Sequence, residues 1–506
     1  MRRLWSFLRR QWIHLFVVGL LIALTTGFNL LVPYLTGLTI DAYIMKKDLV
    51  GLTRVVLFML SVSTAAALTT WLQAYVMAAV AQTTVRDIRD ALFAKFQTLE
   101  LRFIDQHSHG ELMSRFTNDV DNISTTLSES VLRLGSGVLM VSGVTVTMFV
   151  LSWRLAMVTL LTVPIMMCLT RWIATRTRQG YREQQAALGE LNGIIEESIV
   201  GARVIKAYCR EAVAVREFEV VNQKLRDAAV RAQTFSLTLP PLMNFVNNTG
   251  TALVAGAGGL MALQGWVTVG LIAAFISYAQ QFARPLNEIA TLINAFQAAL
   301  AGAERVFQLL DAPSEAADAP DALPLEKVHG DVVFDHVTFA YTPGVPVLQD
   351  VSLQAQAGET IALVGPTGAG KTTLSSLLLR FYDVDAGTLR VDGIDLRQVR
   401  RNDLRRRIGI VLQDTYLFSE SVLENIRYGR LDATDDEVVA AAKLANADDF
   451  IRHLPQGYRT PLAERGSNLS LGQRQLLAIA RAILADPSIL ILDEATSSVD
   501  TRTERN

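Results

Sequence analysis

Six apolar stretches, each long enough to cross a lipid bilayer as a helix, fill most of the N-terminal part of the chain. A helix needs about 20 residues to cross the hydrocarbon layer. The stretches lie at residues 12–40, 50–81, 131–152, 155–173, 239–263 and 267–289. With 506 residues, 50% of them apolar, the chain is too long for one ordinary domain and is predicted to contain a membrane portion.

The connections between the stretches differ in length and charge, and this asymmetry predicts an orientation. The long connections, after the second and fourth stretches, are charged and helical in pattern, whereas the short ones hold only Lys46, Lys47 and Arg154 as basic residues. Because basic connections remain in the cytoplasm, the long segments and both termini are predicted to be cytoplasmic. We expect spans two to five to continue as helices well beyond the membrane.

Charge and cysteine content exclude some classes of function. The net charge is −2, which gives no electrostatic reason to expect a nucleic-acid partner. The two cysteines, Cys168 and Cys209, are far apart in the chain, so reduced thiols are predicted rather than a disulfide or a metal site. The first apolar run is too long for a signal-peptide core and is interpreted as a retained span.

A change in composition marks the start of a second domain. Residues 311–324 are rich in Ala, Asp and Pro, which is typical of an exposed linker. Beyond them, residues 332–334 and 337–339 look like strand pieces, and residues 360–364 look like a buried strand. The predicted organisation is an all-α transmembrane domain of six spans over residues 1–310, a linker over 311–330, and an α/β domain over 331–506.

A glycine-rich loop directly after residue 364 is the strongest local signal in the chain. Its glycines permit a tight turn whose backbone N–H groups surround a phosphate cluster, and the next helix adds its positive dipole end. Lys371 would then reach the β- and γ-phosphates, and the Thr372 hydroxyl would bind Mg²⁺. A chance match is the alternative, but the flanking strand and helix patterns favour nucleotide binding. The predicted binding residues are Gly365, Pro366, Thr367, Gly368, Ala369, Gly370, Lys371, Thr372 and Thr373.

Two carboxylates follow a second predicted buried strand at residues 489–492. Ligands of α/β sheets lie at the carboxyl ends of strands, so Asp493 is a candidate Mg²⁺ ligand and Glu494 a candidate general base for the attacking water. Taken alone, the pair could simply open a solvated loop. Gln413 could bond water or Mg²⁺, or be an ordinary loop residue. Tyr341 could stack on adenine, or only pack against its neighbours.

The ordered motifs behind six spans resemble the half-transporters of the ATP-binding cassette (ABC) exporters, and the resemblance covers essentially the whole chain. The motifs are Tyr341, residues 365–372, Gln413, residues 469–473, Asp493 with Glu494, and residues 497–500. Segments such as 192–197, 240–244 and 284–287 look most like one subunit of the bacterial heterodimeric multidrug exporters. The resemblance implies a P-loop NTPase cassette in the C-terminal domain, ATP and Mg²⁺ as cofactors, and a multi-pass protein of the bacterial inner membrane.

The resemblance also implies a partner subunit. In this family Ser470, Gly472 and Gln473 would belong to the signature segment, which binds the γ-phosphate of ATP held by the partner, so that two cassettes enclose two nucleotides. Leu471 stands where the family usually has glycine or a polar residue, which favours a heterodimer over a homodimer. The turns near residues 103–110 and 207–218 are implied to be coupling helices that touch the cassettes.

The C-terminal end departs from the family pattern. The family has a further strand and a switch histidine beyond the point where this chain stops, and none of the 6 histidines present can replace that residue. We therefore expect very low ATPase activity from the chain as written. The alternative to a working exporter subunit is a truncated or regulatory half that binds nucleotide without efficient hydrolysis.

Polar residues inside the spans are few and mostly neutral. A cavity lined in this way suits amphiphilic or hydrophobic small molecules or lipids better than ions or sugars. Each amide could instead cross-link two helices. The residues are Asn29, Gln73, Tyr75, Asn244, Asn247, Asn248, Tyr278, Gln280 and Gln281.

Overall fold

The computed structural model describes residues 2–493 with the exception of Ala316, Glu326 and Thr367. The chain divides into two compact units. The first consists of Met1–Ala94 and Gly110–Asp311, and the second of Lys95–His109 and Ala312–Asn506. This division differs from the predicted boundaries in two respects, because the predicted membrane domain includes residues 95–109 and the predicted linker is separate from the cassette, whereas residues 312–330 are grouped here with the second unit.

The first unit is helical, as predicted. Each of the six predicted stretches coincides, to within one or two residues at its ends, with a helix or a pair of consecutive helices. The helices up to residue 311 are α1 (Arg2–Leu8), α2 (Trp12–Thr39), α3 (Leu49–Phe96), α4 (Leu101–Asp105), α5 (His109–Phe116), α6 (Asn118–Thr125), α7 (Val131–Leu151), α8 (Trp153–Leu160), α9 (Thr162–Val200), α10 (Ala202–Ala207), α11 (Glu211–Leu263) and α12 (Val269–Asp311).

Several of these helices are much longer than a bilayer is thick. α11 has 53 residues, which corresponds to about 80 Å at 1.5 Å per residue. By length and composition, three helical stretches in the described part of the chain can cross a membrane, namely Arg3–Ile44, Leu49–Phe96 and His109–Leu151, and Val269–Phe282 is a shorter apolar helix. α3, with 48 residues, and α11 are long enough to continue beyond the membrane as helices, and that they do so stays a prediction.

The helices of the first unit pack around a core formed by α2, α7, α8, α11 and α12. Its fully buried members include Val144, Met148, Val254 and Phe275. Tyr278 lies in the same core, and its hydroxyl donates to the carbonyl oxygen of Leu30 at 2.7 Å. Tyr278 therefore cross-links α12 to α2.

α2 and α12 approach each other closely at two glycines near the short-connection ends of both helices. A Cβ atom on Gly270 would lie 2.0 Å from the carbonyl oxygen of Gly37, a separation that real Cβ atoms do not adopt. The backbone N–H of Gly270 donates to Asp41 Oδ1 at 2.8 Å, so the first turn of α12 is anchored by a side chain from the helical segment that follows α2. Only glycine at position 270 permits this contact.

Gly270→Ala is expected to destabilise the first unit by about 1–3 kcal/mol, the usual cost of forcing extra atoms into a packed contact. The apparent unfolding temperature of the purified protein in detergent should fall by several degrees. Gly259→Ala in α11 is the matched control, because a Cβ atom there meets nothing within 4 Å. An equal loss in both variants would contradict the role assigned to the Gly37–Gly270 contact.

The second unit contains two β-sheets and several short helices. The first sheet is antiparallel with the strand order β2–β1–β3–β4, and β5 pairs in parallel with β6. The elements are β1 (Val332–Phe339), β2 (Leu348–Ala355), α13 (Lys371–Leu378), β3 (Ala386–Val391), β4 (Ile394–Asp395), α14 (Arg401–Arg407), β5 (Ile408–Val411), α15 (Val422–Arg427), α16 (Asp435–Leu444), α17 (Asp448–Arg452), α18 (Leu471–Leu484) and β6 (Ile489–Leu492).

Two large hydrophobic clusters, and a small one formed by Val411, Ala478 and Ala482, support the described part of this unit. The sheet cluster joins the antiparallel sheet to α13 and includes Phe339 and Leu377. The helical cluster joins α15, α16 and α18 and includes Val438 and Leu477. The cassette therefore consists of a part built on strands and a part built on helices.

The predicted buried strand at residues 360–364 is wrong. This segment forms no strand, and Val364 is 94% exposed. A strand requires a neighbour to accept and donate its backbone hydrogen bonds, and among the described residues β5 and β6 pair only with each other. The predicted strand at 489–492 exists as β6, but Leu490 and Leu492 are about half exposed, so it is not fully buried.

The segment predicted as an exposed linker is only partly exposed. It contains no helix or strand longer than a single bridge among its described residues. However, Leu325 is buried in the sheet cluster, and Leu323 pairs with Val399 through a backbone bridge. Composition predicted the irregular backbone, while the two leucines fix part of the segment to the cassette.

Candidate functional site

The glycine-rich loop has the backbone conformation that the sequence predicts. Gly368 and Gly370 adopt φ values of 85° and 89°, a region that costs other residues conformational energy. Gly370 is the N-cap of α13, and a Cβ atom there would also lie 2.6 Å from Leu348 Cδ2. The loop is exposed and leads directly into a helix N-terminus, an arrangement suited to binding an anion.

Lys371 folds back across this loop. Its Nζ donates to the carbonyl oxygens of Gly365 at 2.7 Å and Pro366 at 3.2 Å. The ammonium group therefore lies on the loop itself, beside the backbone that would surround the phosphates. A bound polyphosphate would compete with these two carbonyl oxygens for the same donor.

The structure brings Thr372 and Asp493 together, although 120 residues separate them in the sequence. The Thr372 hydroxyl donates to Asp493 Oδ2 at 2.9 Å, where Thr372 is exposed and Asp493 is partly buried. A hydroxyl and a carboxylate are oxygen ligands of the kind that Mg²⁺ prefers. These two residues therefore fit a magnesium ion bound beside the phosphate loop.

Gln413 and Asp493 extend from the same edge of the parallel strand pair. Val411 at the end of β5 is in register with Leu492 at the end of β6. The N–H of Asp493 donates to the carbonyl oxygen of Val411 at 2.9 Å, and Gln413 follows two residues later in an exposed position. Gln413 and Asp493 therefore both follow the carboxyl end of a strand in this pair, where ligands of α/β sheets lie, and their roles in the site stay predictions.

Tyr341 is connected to the helix that follows the loop. Its hydroxyl donates to Thr373 Oγ1 at 3.2 Å. Its ring packs edge-on against Phe339 and Tyr382, with centroid separations of 5.0 and 5.2 Å. The ring therefore packs against its neighbours, and the hydroxyl contact connects Tyr341 to the first turn of α13, while stacking on adenine stays a prediction.

The predicted signature segment caps α18. Ser470 Oγ accepts from the backbone N–H of Gln473 at 3.2 Å, and Gln473 Oε1 accepts from the N–H of Ser470 at 2.9 Å. Gly472 lies in the first turn of the helix, and the side chain of Leu471 is 46% exposed. This capping box fixes the helix start and leaves Leu471 on the surface.

The signature segment and the phosphate loop are supported by different clusters. Leu469, the first residue of the signature segment, and Leu477, one turn after it, belong to the helical cluster. Leu377 of α13, the helix that follows the phosphate loop, belongs to the sheet cluster. Two further predicted site residues, Glu494 and Thr367, lie outside the described residues, as does the motif at 497–500.

A short helix between two long ones belongs to the second unit. α4 contributes Leu101 to the sheet cluster, and the Tyr382 hydroxyl donates to the carboxylate of Asp105. The pKa of Tyr382 is raised mainly by burial and next by this hydrogen bond, so the phenol stays protonated and remains a donor. The first predicted coupling segment, residues 103–110, therefore begins within a helix that contacts the cassette core. The second, residues 207–218, lies at the turn between α10 and α11 in the first unit.

A cavity of about 560 Å³ lies among α2, α3, α7 and α12 of the first unit. Of the polar span residues that the sequence analysis named, it brings together Asn29, Gln73 and Gln281. Tyr278 instead belongs to the core. Thr25, Thr26, Thr70 and Arg133 also line the cavity.

Sequence reasoning missed Arg133, Tyr382 and Asp105. Arg133 lies near the start of the apolar stretch at residues 131–152 and was counted as part of that span. A lone cation at the start of a span is itself an unusual feature. Tyr382 and Asp105 lie far apart in the chain, and no local pattern indicates that they meet.

Comparisons with known proteins identify both parts of the chain. Residues 15–286 match the ABC transporter transmembrane region, and residues 348–497 match the ABC transporter family. An uncharacterized ABC transporter ATP-binding protein of Bacillus subtilis, YfiC, is 45% identical over the whole chain, which spans 84% of that protein.

Two relatives carry more specific names. A fatty acid ABC transporter ATP-binding/permease protein of Mycobacterium tuberculosis is 44% identical over 90% of this chain and 72% of its own length. An ATP-dependent lipid A-core flippase of Legionella pneumophila is 34% identical over 99% of this chain and 85% of its own length.

Among solved structures, a bacterial Atm1-family ABC exporter with ATP bound is similar with a TM-score of 0.76 and 30% identity. The match covers 98% of this chain and 87% of that one. Because a helical membrane region and an ATP-binding cassette are fused in one polypeptide with these similarities, the chain belongs to the ABC exporter half-transporters.

Proposed function

We propose that this ATP-driven exporter subunit pairs with a second half-transporter and moves amphiphilic or hydrophobic small molecules, or lipids, across the bacterial inner membrane. The observation that carries the proposal is the contact between Thr372 and Asp493 at the phosphate loop. In the same chain, a cavity with polar and apolar lining lies among long apolar helices. The chain therefore has both a nucleotide site and a place for cargo.

The nucleotide chemistry is assigned to residues around the loop. The backbone of residues 365–370 and the start of α13 would hold the phosphates, and Lys371 would neutralise part of their charge. Thr372, Asp493 and Gln413 would hold Mg²⁺, which stabilises the charge that develops on the phosphates. We assign Glu494 the role of general base toward the attacking water, and Tyr341 that of an aromatic surface for adenine.

The separation of the loop from the signature segment supports a dimer. Each stands on its own hydrophobic cluster, so a signature from a second cassette is needed to cover the nucleotide on this loop. The exposed Leu471 would then face the partner's nucleotide. A leucine at that position favours a heterodimer, in which this signature contributes to one of the two sites.

The substrate class follows from the cavity and agrees with the names of two relatives, a fatty acid transporter and a lipid A-core flippase. The asymmetry of basic residues supports cytoplasmic long segments and termini. Multidrug efflux is a narrower role within the same class.

Transport in proteoliposomes tests the proposal. Protein purified with its co-expressed partner should accumulate a fluorescent amphiphile in an ATP-dependent manner, and Glu494→Gln should retain ATP binding while transport stops. ATP-independent movement of the amphiphile, or undiminished transport by the Glu494→Gln protein, would contradict it. Intact masses of the purified complex distinguish one chain type from two.

Tyr382→Phe is expected to weaken the link between ATP hydrolysis and transport. The substitution removes only the hydroxyl that holds Asp105 of α4, which costs about 1 kcal/mol of stability. The amount transported per ATP should fall by roughly fivefold, the lower range of coupling energies between distant sites. Both quantities are measured on the same proteoliposomes.

Tyr458→Phe is the matched control for this change. Tyr458 also donates from a partly buried phenol to an aspartate, Asp448 at 2.8 Å, within the same unit. The Tyr458→Phe protein should lose a similar amount of stability, and its ratio of transport to hydrolysis should not change. If both variants transport normally per ATP, Tyr382 has no role in coupling.

A further inference from the structure

We propose that the cavity among α2, α3, α7 and α12 binds the head group of an amphiphile that carries an acid, either a carboxylate or a phosphate, and that Arg133 binds this acid. The inference rests on the proposed function, since it names the substrate class of the same transporter. It adds the charge of the head group and the residues that recognise it.

Arg133 gives the cavity its charge. Among the described lining residues it alone is ionisable. In the described part of the chain it pairs with Glu129, one turn earlier on the helix, which its Nη2 approaches at 3.4 Å while both side chains are more than half exposed. Such a pair contributes little energy, and a guanidinium has five N–H donors. Glu129 does not line the cavity, so the donors on the cavity side remain available to an acid.

Two glutamines give the cavity hydrogen-bond acceptors that a ligand could use. Gln73 is 8% exposed. Its Oε1 atom and that of Gln281 are buried without a hydrogen-bond partner in the described structure. A buried acceptor without a partner destabilises the structure, and a ligand with a hydroxyl or amide donor would supply that partner. Both residues line the cavity, so the head group should donate as well as carry the acid.

The threonines complete the polar surface. Thr26 and Thr70 already donate to carbonyl oxygens of their own helices, at 2.8 and 2.7 Å, so their hydroxyl oxygens face the cavity as acceptors only. The rest of the lining is apolar and includes Ile22 and Met140. The described lining thus combines one cation, hydrogen-bonding groups and apolar surface, the combination that a lipid with an acidic head requires.

The depth of the cavity fits a lipid head. At 1.5 Å per residue, Gln281 lies about 18 Å from the start of α12, Arg133 about 27 Å from the end of α7, and Gln73 about 36 Å from the start of α3. These helix ends face the short connections, and the hydrocarbon layer is about 30 Å thick. With these helix ends at the membrane surface, Gln281 and Arg133 lie in the half of the hydrocarbon layer remote from the short connections, and Gln73 lies just beyond that layer, where the heads of one leaflet are found.

Binding measurements on the full-length complex in nanodiscs of zwitterionic lipid test the inference without ATP. The probes share a chain of sixteen carbons and differ in the head: palmitoyl-lysophosphatidic acid, palmitate, monopalmitoylglycerol and hexadecyltrimethylammonium. Lysophosphatidic acid, with a phosphate and a hydroxyl, should bind at least roughly tenfold more tightly than monopalmitoylglycerol, the factor expected for about 1.4 kcal/mol. The affinity for palmitate should lie between these two affinities. If palmitate binds more tightly than lysophosphatidic acid, the site is assigned to a carboxylate.

Arg133→Gln should reduce the affinity for both acids to that of monopalmitoylglycerol and leave monopalmitoylglycerol unchanged. Arg86→Gln is the control, because Arg86 is also paired with a neighbouring acid, Asp87, but does not line the cavity. Glu129→Gln should preserve or strengthen acid binding. Equal affinity for acid and neutral heads, preference for the ammonium probe, or acid binding that survives Arg133→Gln would overturn the inference. ATP-dependent export of monopalmitoylglycerol in those cases would leave the proposed function intact.

Discussion

Asp493→Asn is expected to lower ATP hydrolysis by a factor on the order of 100 or more, because charge stabilisation by a metal ion is worth several kcal/mol and each 1.36 kcal/mol is tenfold. Asp493 accepts the hydrogen bond from Thr372 at 2.9 Å, beside the loop that would carry the phosphates. An amide retains the shape and the acceptor oxygen but not the charge that a divalent cation requires. The fold and the Thr372 contact should therefore survive while the metal is lost.

The measurement that isolates this effect is the Mg²⁺ dependence of nucleotide affinity. In the unsubstituted protein, ATP affinity should rise when Mg²⁺ is added, whereas Asp493→Asn should bind ATP with the same affinity in either condition. Thr372→Val should show a similar but smaller change, since it removes a neutral ligand. Asp436→Asn, an exposed position on α16, controls for the loss of one negative charge from the cassette. Unchanged Mg²⁺ dependence in Asp493→Asn would remove this residue from the metal site.

The helices of the first unit and the glycine loop were predictable because each depends on local sequence. Apolar runs of sufficient length become helices in lipid whatever their neighbours are. The loop conformation follows from Gly368 and Gly370, which adopt positive φ without a steric cost. The same is true of the start of α18, where Ser470 and Gln473 cap the helix with contacts three residues apart.

The failures share a different cause. Residues 360–364 have the composition of a buried strand, but strand formation depends on a neighbouring strand that local sequence does not specify. The contact between Tyr382 and Asp105 joins positions 277 residues apart, and so belongs to tertiary structure. Arg133 was hidden by the apolar residues around it, and only the arrangement of four helices shows that it lines a cavity. Sequence thus predicts elements and loop chemistry, while partnerships between distant residues require the fold.

The largest expected effect in the first unit concerns an ion pair that joins α6 to the C-terminal part of α12. Arg305 donates to both carboxylate oxygens of Asp119, at 2.8 and 2.5 Å. The Asp119 side chain is 3% exposed and that of Arg305 is 45% exposed. The backbones also approach closely, since a Cβ atom on Gly302 would lie 3.1 Å from the carbonyl oxygen of Asp119. Arg305 therefore donates both of these hydrogen bonds to the buried carboxylate of Asp119.

Arg305→Met is expected to destabilise the first unit by roughly 2–3 kcal/mol, less than the 3–5 kcal/mol of a fully buried pair because one partner is accessible to water. The penalty arises from the buried carboxylate that is left behind, so Asp119→Asn in the same protein should recover much of the loss. A double-mutant cycle on the apparent unfolding free energy in detergent measures this recovery. Arg231→Met is the control, because Arg231 forms an exposed pair with Glu183 at 3.5 Å and should cost less than about 1 kcal/mol. If the double variant is as unstable as the sum of the single ones, the carboxylate of Asp119 is not the source of the penalty, and α6 is held to α12 by packing at Gly302 alone.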